Sequence, residues 1–451
     1  MSERLFGTDG VRGIANQDLT PDLCSRLAFA AAHTLFAQRP EQKRVLIGHD
    51  TRISADMLEA ALVAGFTSAG VDVYLVDVVP TPGIAWLTTA CACEMGVVIS
   101  ASHNSFEHNG IKIFNHEGYK LPDAVEDAIA ASLDLYYDYR PKPLGASLGR
   151  VFRLPQAVDQ YRQHLQGACQ LDLKGVKIAL DTANGAAYQL APQIFSDLGA
   201  DLTVLSDQPD GLNINACCGS THVENLARRV LDQGLDLGLA FDGDADRLIA
   251  VDDQGQVLDG DVMLAIFAKD LLDQGKLAGE ALVVTVMSNL GLSHMADREG
   301  IRLIKTQVGD RYVLEEMLKN GYILGGEQSG HMIFLDHATT GDGILSALKL
   351  LEVRQRTGRP LSDLRKIVDI YPQVLLNVEV DNALKAKAMS DPDVQKACRR
   401  VEESLGQEGR LLVRPSGTEP KIRIMLEGKD KDHIQELAES IARLISARFS
   451  Y

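Results

Sequence analysis

The chain has 451 residues, with 45 Lys and Arg against 62 Asp and Glu, a formal net charge of −17; 45% of it is apolar and 24% charged. That length corresponds to roughly three or four globular domains, and the acidic balance excludes a broad basic face for nucleic acid. No uninterrupted apolar run approaches the roughly 20 residues that span a bilayer, and the N-terminus lacks the apolar core of a signal peptide. Seven cysteines without a C-x-x-C pair read as reduced thiols, so a cytoplasmic protein with no membrane or nucleic-acid partner is expected.

In chain order, the first predicted strand is Arg44-Val45-Leu46-Ile47-Gly48, then a helix over about 56–69, then strands over 71–76 and 95–100. Short apolar runs bounded by turn residues are the pattern of strands buried on both faces. The order recurs: strands over 176–180, 201–205 and 237–241, then over 281–286, 302–304 and 322–325. Each triplet runs into a polar loop, namely Ser102-His103-Asn104, Asp242-Gly243-Asp244 and Glu327-Gln328-Ser329. Open α/β sheets bind ligands beyond the carboxyl ends of their strands. Three related α/β domains with mixed, largely parallel sheets, sharing a central cleft, account for this pattern. The C-terminal part reads β-α-β-β-α, with strands over 374–380, 410–413 and 421–426, which suits a smaller α+β domain. The expected boundaries are 1–155 (serine loop), 156–255 (acidic loop), 256–370 (Glu327 loop) and 371–451. The segment Tyr139-Arg140-Pro141-Lys142-Pro143 reads as a solvated surface loop.

Four segments carry chemistry. In Asp242-Gly243-Asp244-Ala245-Asp246-Arg247, three alternating carboxylates after a buried strand repel one another unless a cation sits between them, and hard oxygen donors suit Mg²⁺. An EF-hand fails, because its sixth loop position needs Gly and holds Arg247; that arginine is free to reach a phosphate. Ser102 ends a buried strand, and is either a nucleophile or the cap of a following element. The only G-x-S-x-G match, at 145–149, follows a loop and not a strand, and no P-loop is present. The segment Arg414-Pro415-Ser416-Gly417-Thr418-Glu419-Pro420-Lys421-Ile422-Arg423 reads as an anion nest or a plain turn. Gly326-Glu327-Gln328-Ser329-Gly330-His331 offers polar groups that grip a polyol. Together they suit phosphoryl transfer to and from a sugar phosphate.

These motifs, in this order, resemble those of the α-D-phosphohexomutases. The likeness runs from Arg4-Leu5-Phe6-Gly7-Thr8-Asp9-Gly10 to the Arg414 loop, with support from Gly48-His49-Asp50-Thr51-Arg52, Asp210-Gly211-Leu212-Asn213-Ile214-Asn215 and Gly309-Asp310-Arg311-Tyr312. Gln328, a place where Met is common in the phosphomannomutase/phosphoglucomutase branch, favours the branch acting on glucosamine phosphates; the other branch is the alternative. The resemblance implies interconversion of glucosamine 6-phosphate and glucosamine 1-phosphate, feeding UDP-N-acetylglucosamine and cell-wall precursor synthesis. It implies a phosphorylated Ser102, Mg²⁺ held by Ser102, Asp242, Asp244 and Asp246, and a glucosamine 1,6-bisphosphate (or glucose 1,6-bisphosphate) intermediate or activator. Glu327 and Ser329 would bind the sugar, and Arg414, Ser416, Gly417, Thr418 and Arg423 its phosphate. Arg12, His103, Lys112, Arg247 and His331 would assist phosphoryl or proton transfer, Lys112 with a pKa lowered by surrounding cations. A homodimer is also implied. Ser105 stands where the family usually has Pro, so a loosened serine loop is expected.

Overall fold

A computed structural model describes residues 4–7, 9–36, 43–139, 142–416 and 420–449. They form two compact units, Met1–Met287 with Gly300–Ile367, and Ser288–Glu299 with Val368–Tyr451.

The first unit contains three sheets that repeat one topology. In the first, Arg44–His49 pairs in parallel with Asp72–Val78 on one side and Met95–Ile99 on the other, and His108–Asn115 returns antiparallel along Met95–Ile99. In the second, Lys177–Asp181 lies between Asp201–Leu205 and Leu237–Phe241, with Leu248–Asp252 returning antiparallel. In the third, Ala281–Thr285 lies between Arg302–Thr306 and Leu324–Gly326, with Met332–Phe334 returning. Met95–Ile99, Leu237–Phe241 and Ala281–Thr285 are buried along their whole length, as strands covered on both faces must be. The parallel triplets match the sequence periodicity to within a residue or two.

The return strands make the sheets mixed, as expected, although their positions were not read from the sequence, and they create the site. Each polar loop joins the third parallel strand to its antiparallel return, with Ile99 opposite Ile111, Phe241 opposite Leu248 and Gly326 opposite Met332. Equivalent loops therefore leave equivalent strand ends in all three sheets, so one architectural position is used three times.

The expected solvated loop at 139–143 is only partly so. Arg140 and Pro141 lie outside the described residues, but the Lys142 ammonium sits 4.8 Å from the centre of the Tyr136 ring, and Tyr139 packs edge-on against Phe29. A cation over an aromatic face is held there by the ring quadrupole.

The second unit is an antiparallel sheet with Lys421–Gly428 between Gln373–Glu379 and Gly409–Pro415. Its core joins Val374, Val378, Ile422, Ile424 and Leu426 to Ile434, Ala438, Ile441 and Ile445 of the helix Lys431–Phe449. Glu427 is buried within it, 2.9 Å from Arg410 and accepting the Leu290 backbone N–H at 3.0 Å. Removing a buried partner leaves the other charge uncompensated. Glu427→Ala is therefore expected to cost this unit about 3 kcal/mol, seen as roughly 100-fold faster hydrogen exchange in Lys421–Gly428. Among the described residues, no helix is long and apolar enough to cross a membrane.

Candidate active site

The element after Ser102 is the strand His108–Asn115, not a helix, which removes the capping role. Ser102 is buried and sits in the left-handed region at φ 52°. Its hydroxyl donates to Asp242 Oδ2 at 2.6 Å, and His103 Nδ1 lies 3.4 Å from the same oxygen. Two residues 140 apart in the chain thus meet because two equivalent loops face each other. Gly243 permits the approach, since a Cβ there would come within 2.5 Å of the Ser102 carbonyl oxygen.

Asp242, Asp244 and Asp246 are all buried, and each offers a carboxylate oxygen within 4.8 Å of the others. Asp244 Oδ2 accepts from Thr81 Oγ1 at 2.6 Å and from Lys112 Nζ at 2.8 Å. Asp244 Oδ1 and Asp246 Oδ1 are buried without a hydrogen-bond partner. Burial, then the charges of Asp246 and Asp244, push the Asp242 carboxyl well above its usual range. Burial acts the same way on Asp246, but Lys112 and His331 outweigh it and hold that carboxyl low. Converging hard oxygens, two of them orphaned, fit a small divalent cation such as Mg²⁺.

Lys112 departs from expectation. Its closest partners are carboxylates, Asp244 at 2.8 Å, Asp9 at 3.1 Å and Asp246 at 3.8 Å, which outweigh the nearby Arg12 cation. Burial disfavours the ammonium, but these charges win and raise its pKa. Lys112 therefore keeps its proton, and serves as a fixed positive charge beside the acidic loop. Arg12 donates to the Ala101 carbonyl at 2.9 Å and pairs with Asp9, flanking the serine. Arg247 Nη1 lies 3.1 Å from His103 Nδ1. Burial, then Arg247 and Arg12, lower the His103 pKa to about 4. His331 Nδ1 is 3.4 Å from Asp246, while Nε2 accepts the Gly341 N–H at 3.0 Å. That acceptance puts the ring proton of a neutral imidazole on Nδ1, facing Asp246, although the carboxylates of Asp246 and Asp310 raise the pKa against burial.

In the third loop, Glu327 Oε1 accepts the Gly309 N–H at 3.1 Å, and burial raises its pKa despite His331 nearby. Ser329 is exposed. In the second unit, Arg414 and Arg423 face each other across paired strands, so burial and then Arg423 lower the Arg414 pKa. Lys385 Nζ donates to the Ser416 carbonyl at 2.7 Å. Gly417 and Thr418 lie outside the described residues.

Several residues that build the first unit's site had no assigned role. Asp9 joins Lys112 to Lys120, and Lys120 reaches Asp310 at 2.6 Å. Asp9, Asp310 and Asn215 all fall in segments that carried the family likeness, which was the available signal. Thr81 had none. The Ser105 carbonyl is taken by the buried Arg52 guanidinium.

Sequence profiles of the phosphoglucomutase/phosphomannomutase family match four stretches: alpha/beta/alpha domain I at 3–139, domain II at 159–255, domain III at 259–371 and the C-terminal domain at 375–444. The chain is 53% identical over 443 residues to a phosphoglucosamine mutase of Desulforamulus reducens, covering 98% of this chain and 99% of that one. Among solved structures it is similar to a phosphoglucomutase/phosphomannomutase family protein from Burkholderia thailandensis, at TM-score 0.83 and 24% identity over 99% and 98% of the two chains. It is also similar in fold to an Aspergillus fumigatus N-acetylphosphoglucosamine mutase, solved with GlcNAc-6P and magnesium, at TM-score 0.70 and 17% identity over 98% and 95%.

Proposed function

The chain belongs to the phosphoglucomutase/phosphomannomutase family, and on that premise we propose that it interconverts glucosamine 6-phosphate and glucosamine 1-phosphate. The observation that carries this reading is the Ser102 hydroxyl, buried and hydrogen-bonded at 2.6 Å to a three-carboxylate loop with unpartnered oxygens. Domain divisions near 155, 255 and 370 go with it.

In this reading Ser102 carries a phosphoryl group. The P–Oγ bond breaks as sugar O1 bonds to phosphorus, and the O1 proton passes to a base, giving a bound 1,6-bisphosphate. After the sugar turns, the O6 phosphoryl group returns to Ser102 Oγ, O6 recovers a proton, and glucosamine 1-phosphate leaves. Lys112 is paired with three carboxylates and holds its proton, and both ring nitrogens of a neutral His331 are engaged, so the base is drawn from the His103 imidazole. Asp242, Asp244 and Asp246 would hold Mg²⁺, which when bound neutralises charge on the phosphoryl oxygens. Arg12 and Arg247 flank the serine and supply further positive charge to the transferring group. Glu327 and Ser329 would orient the sugar hydroxyls, and Arg414, Ser416, Gly417, Thr418 and Arg423 its non-reacting phosphate, through forked charge-assisted bonds.

The test assays glucosamine, glucose and mannose 6-phosphates side by side, with intact-mass measurement of Ser102 phosphorylation. A kcat/KM at least about 100-fold higher for the glucosamine substrate is expected, since a site built for a polar substituent rejects an analogue lacking its match. Preference for glucose or mannose 6-phosphate would move the protein to the other branch. Release of free phosphate without isomerisation would indicate a phosphatase using Asp242.

A further inference from the structure

The conformation of Ser102 requires an explanation that the chemistry above does not give. A non-glycine residue at φ 52° is sterically disfavoured, and persists only where its surroundings over-determine it. Both peptide groups of Ser102 are tied. Its N–H donates to Ser100 Oγ at 2.9 Å, and that hydroxyl donates to Asp50 Oδ2 at 2.5 Å. Its carbonyl accepts from Arg52 Nη2 and from Asn215 Nδ2, each at 2.9 Å. The same two nitrogens reach the Asn104 carbonyl, at 2.8 and 3.0 Å. Arg52 Nη1 binds the carbonyls of Ser105 and His108, and Nε pairs with Asp50 at 2.9 Å. The Arg52 side chain is 0% exposed. A buried guanidinium spends all its directed donors on backbone carbonyls of one loop and on the carboxylate that neutralises it.

We infer that Arg52 and Asn215 are positioning residues for phosphoryl transfer: together they lock the left-handed backbone at Ser102, which keeps its Oγ on Asp242. This rests on the functional reading above. Released from the clamp, the serine would relax toward a right-handed or extended backbone and swing Oγ off the acidic loop. Since Arg52 comes from the first sheet's domain and Asn215 from the second's, the reactive conformation depends on those two domains being together. Misplacement of a reacting atom by about 1 Å lowers rate far more than binding, so the effect belongs in kcat.

Two variants test this. Arg52→Lys keeps a charge for Asp50 but lacks the planar fork; Asn215→Ala removes no charge. With glucosamine 6-phosphate, kcat is expected to fall roughly 100-fold in R52K and about tenfold in N215A, with KM changed less than about threefold. Hydrogen exchange over residues 100–107 should quicken in both, while the other strands exchange as in the parent. A kcat within twofold of the parent in either folded variant, or a loss confined to KM, overturns the proposal. If R52K does not fold, N215A decides alone. If the parent enzyme turns over no hexose phosphate, the functional reading fails separately; exchange over 100–107 then decides the clamp, and unchanged exchange in both variants overturns it.

Discussion

Ser102→Ala is expected to lower mutase turnover by roughly 10⁴-fold or more, because the route through a covalent phosphoryl acceptor is lost and no alternative hydroxyl is assigned to it. Affinity for glucosamine 6-phosphate should stay within about threefold, since the Glu327 loop and the Arg414 strand are untouched. Intact mass should show no phosphate on the variant. The left-handed backbone at this position is held by bonds to the main chain of Ser102, so alanine keeps the loop while removing the proposed nucleophile. Turnover within tenfold of the parent would remove the covalent role.

Asp244→Asn is expected to lower kcat by about 100- to 1,000-fold, and to raise the Mg²⁺ concentration needed for half-activity more than tenfold. The substitution preserves size and one acceptor oxygen, so the Thr81 bond can survive. It removes the charge that pairs with Lys112 at 2.8 Å and one of the three carboxylates proposed to hold the cation. Mg²⁺ should therefore raise the melting temperature of the parent protein but much less that of the variant, because a ligand stabilises only the state that binds it. Normal Mg²⁺ dependence in Asp244→Asn would eliminate the metal assignment while leaving the serine's role intact.

How legible each part of the site was depends on the kind of interaction that makes it. Leu237–Phe241 and Met95–Ile99 are unbroken apolar runs, so their burial and the polar loops after them could be read directly. His108–Asn115 could not, because it begins with polar residues and places Lys112 at a buried position, which breaks any apolar periodicity. The lysine is tolerated there only because Asp9, Asp244 and Asp246 converge on it from other parts of the chain. Its charge state was misread for the same reason: the sign of its neighbours is a tertiary fact. Thr81 went without a role because nothing local marks a side chain whose partner lies more than a hundred residues away; Asn215 lay in a segment of family likeness, but its partner, equally distant, could not be read from it.

By itself, then, the chain's order of residues determined the repeated strand triplets, the three polar loops, the acidic triad and the family. These are short-range patterns, and burial on both faces of a strand or crowding of like charges leaves its mark within a few residues. Only the tertiary structure decided that an antiparallel return strand closes each loop, that Lys112 sits among carboxylates, and that Ser102 is held left-handed by Arg52 and Asn215. Those features arise from hydrogen bonds and ion pairs between distant segments, whose strength depends on burial and geometry that no local periodicity encodes.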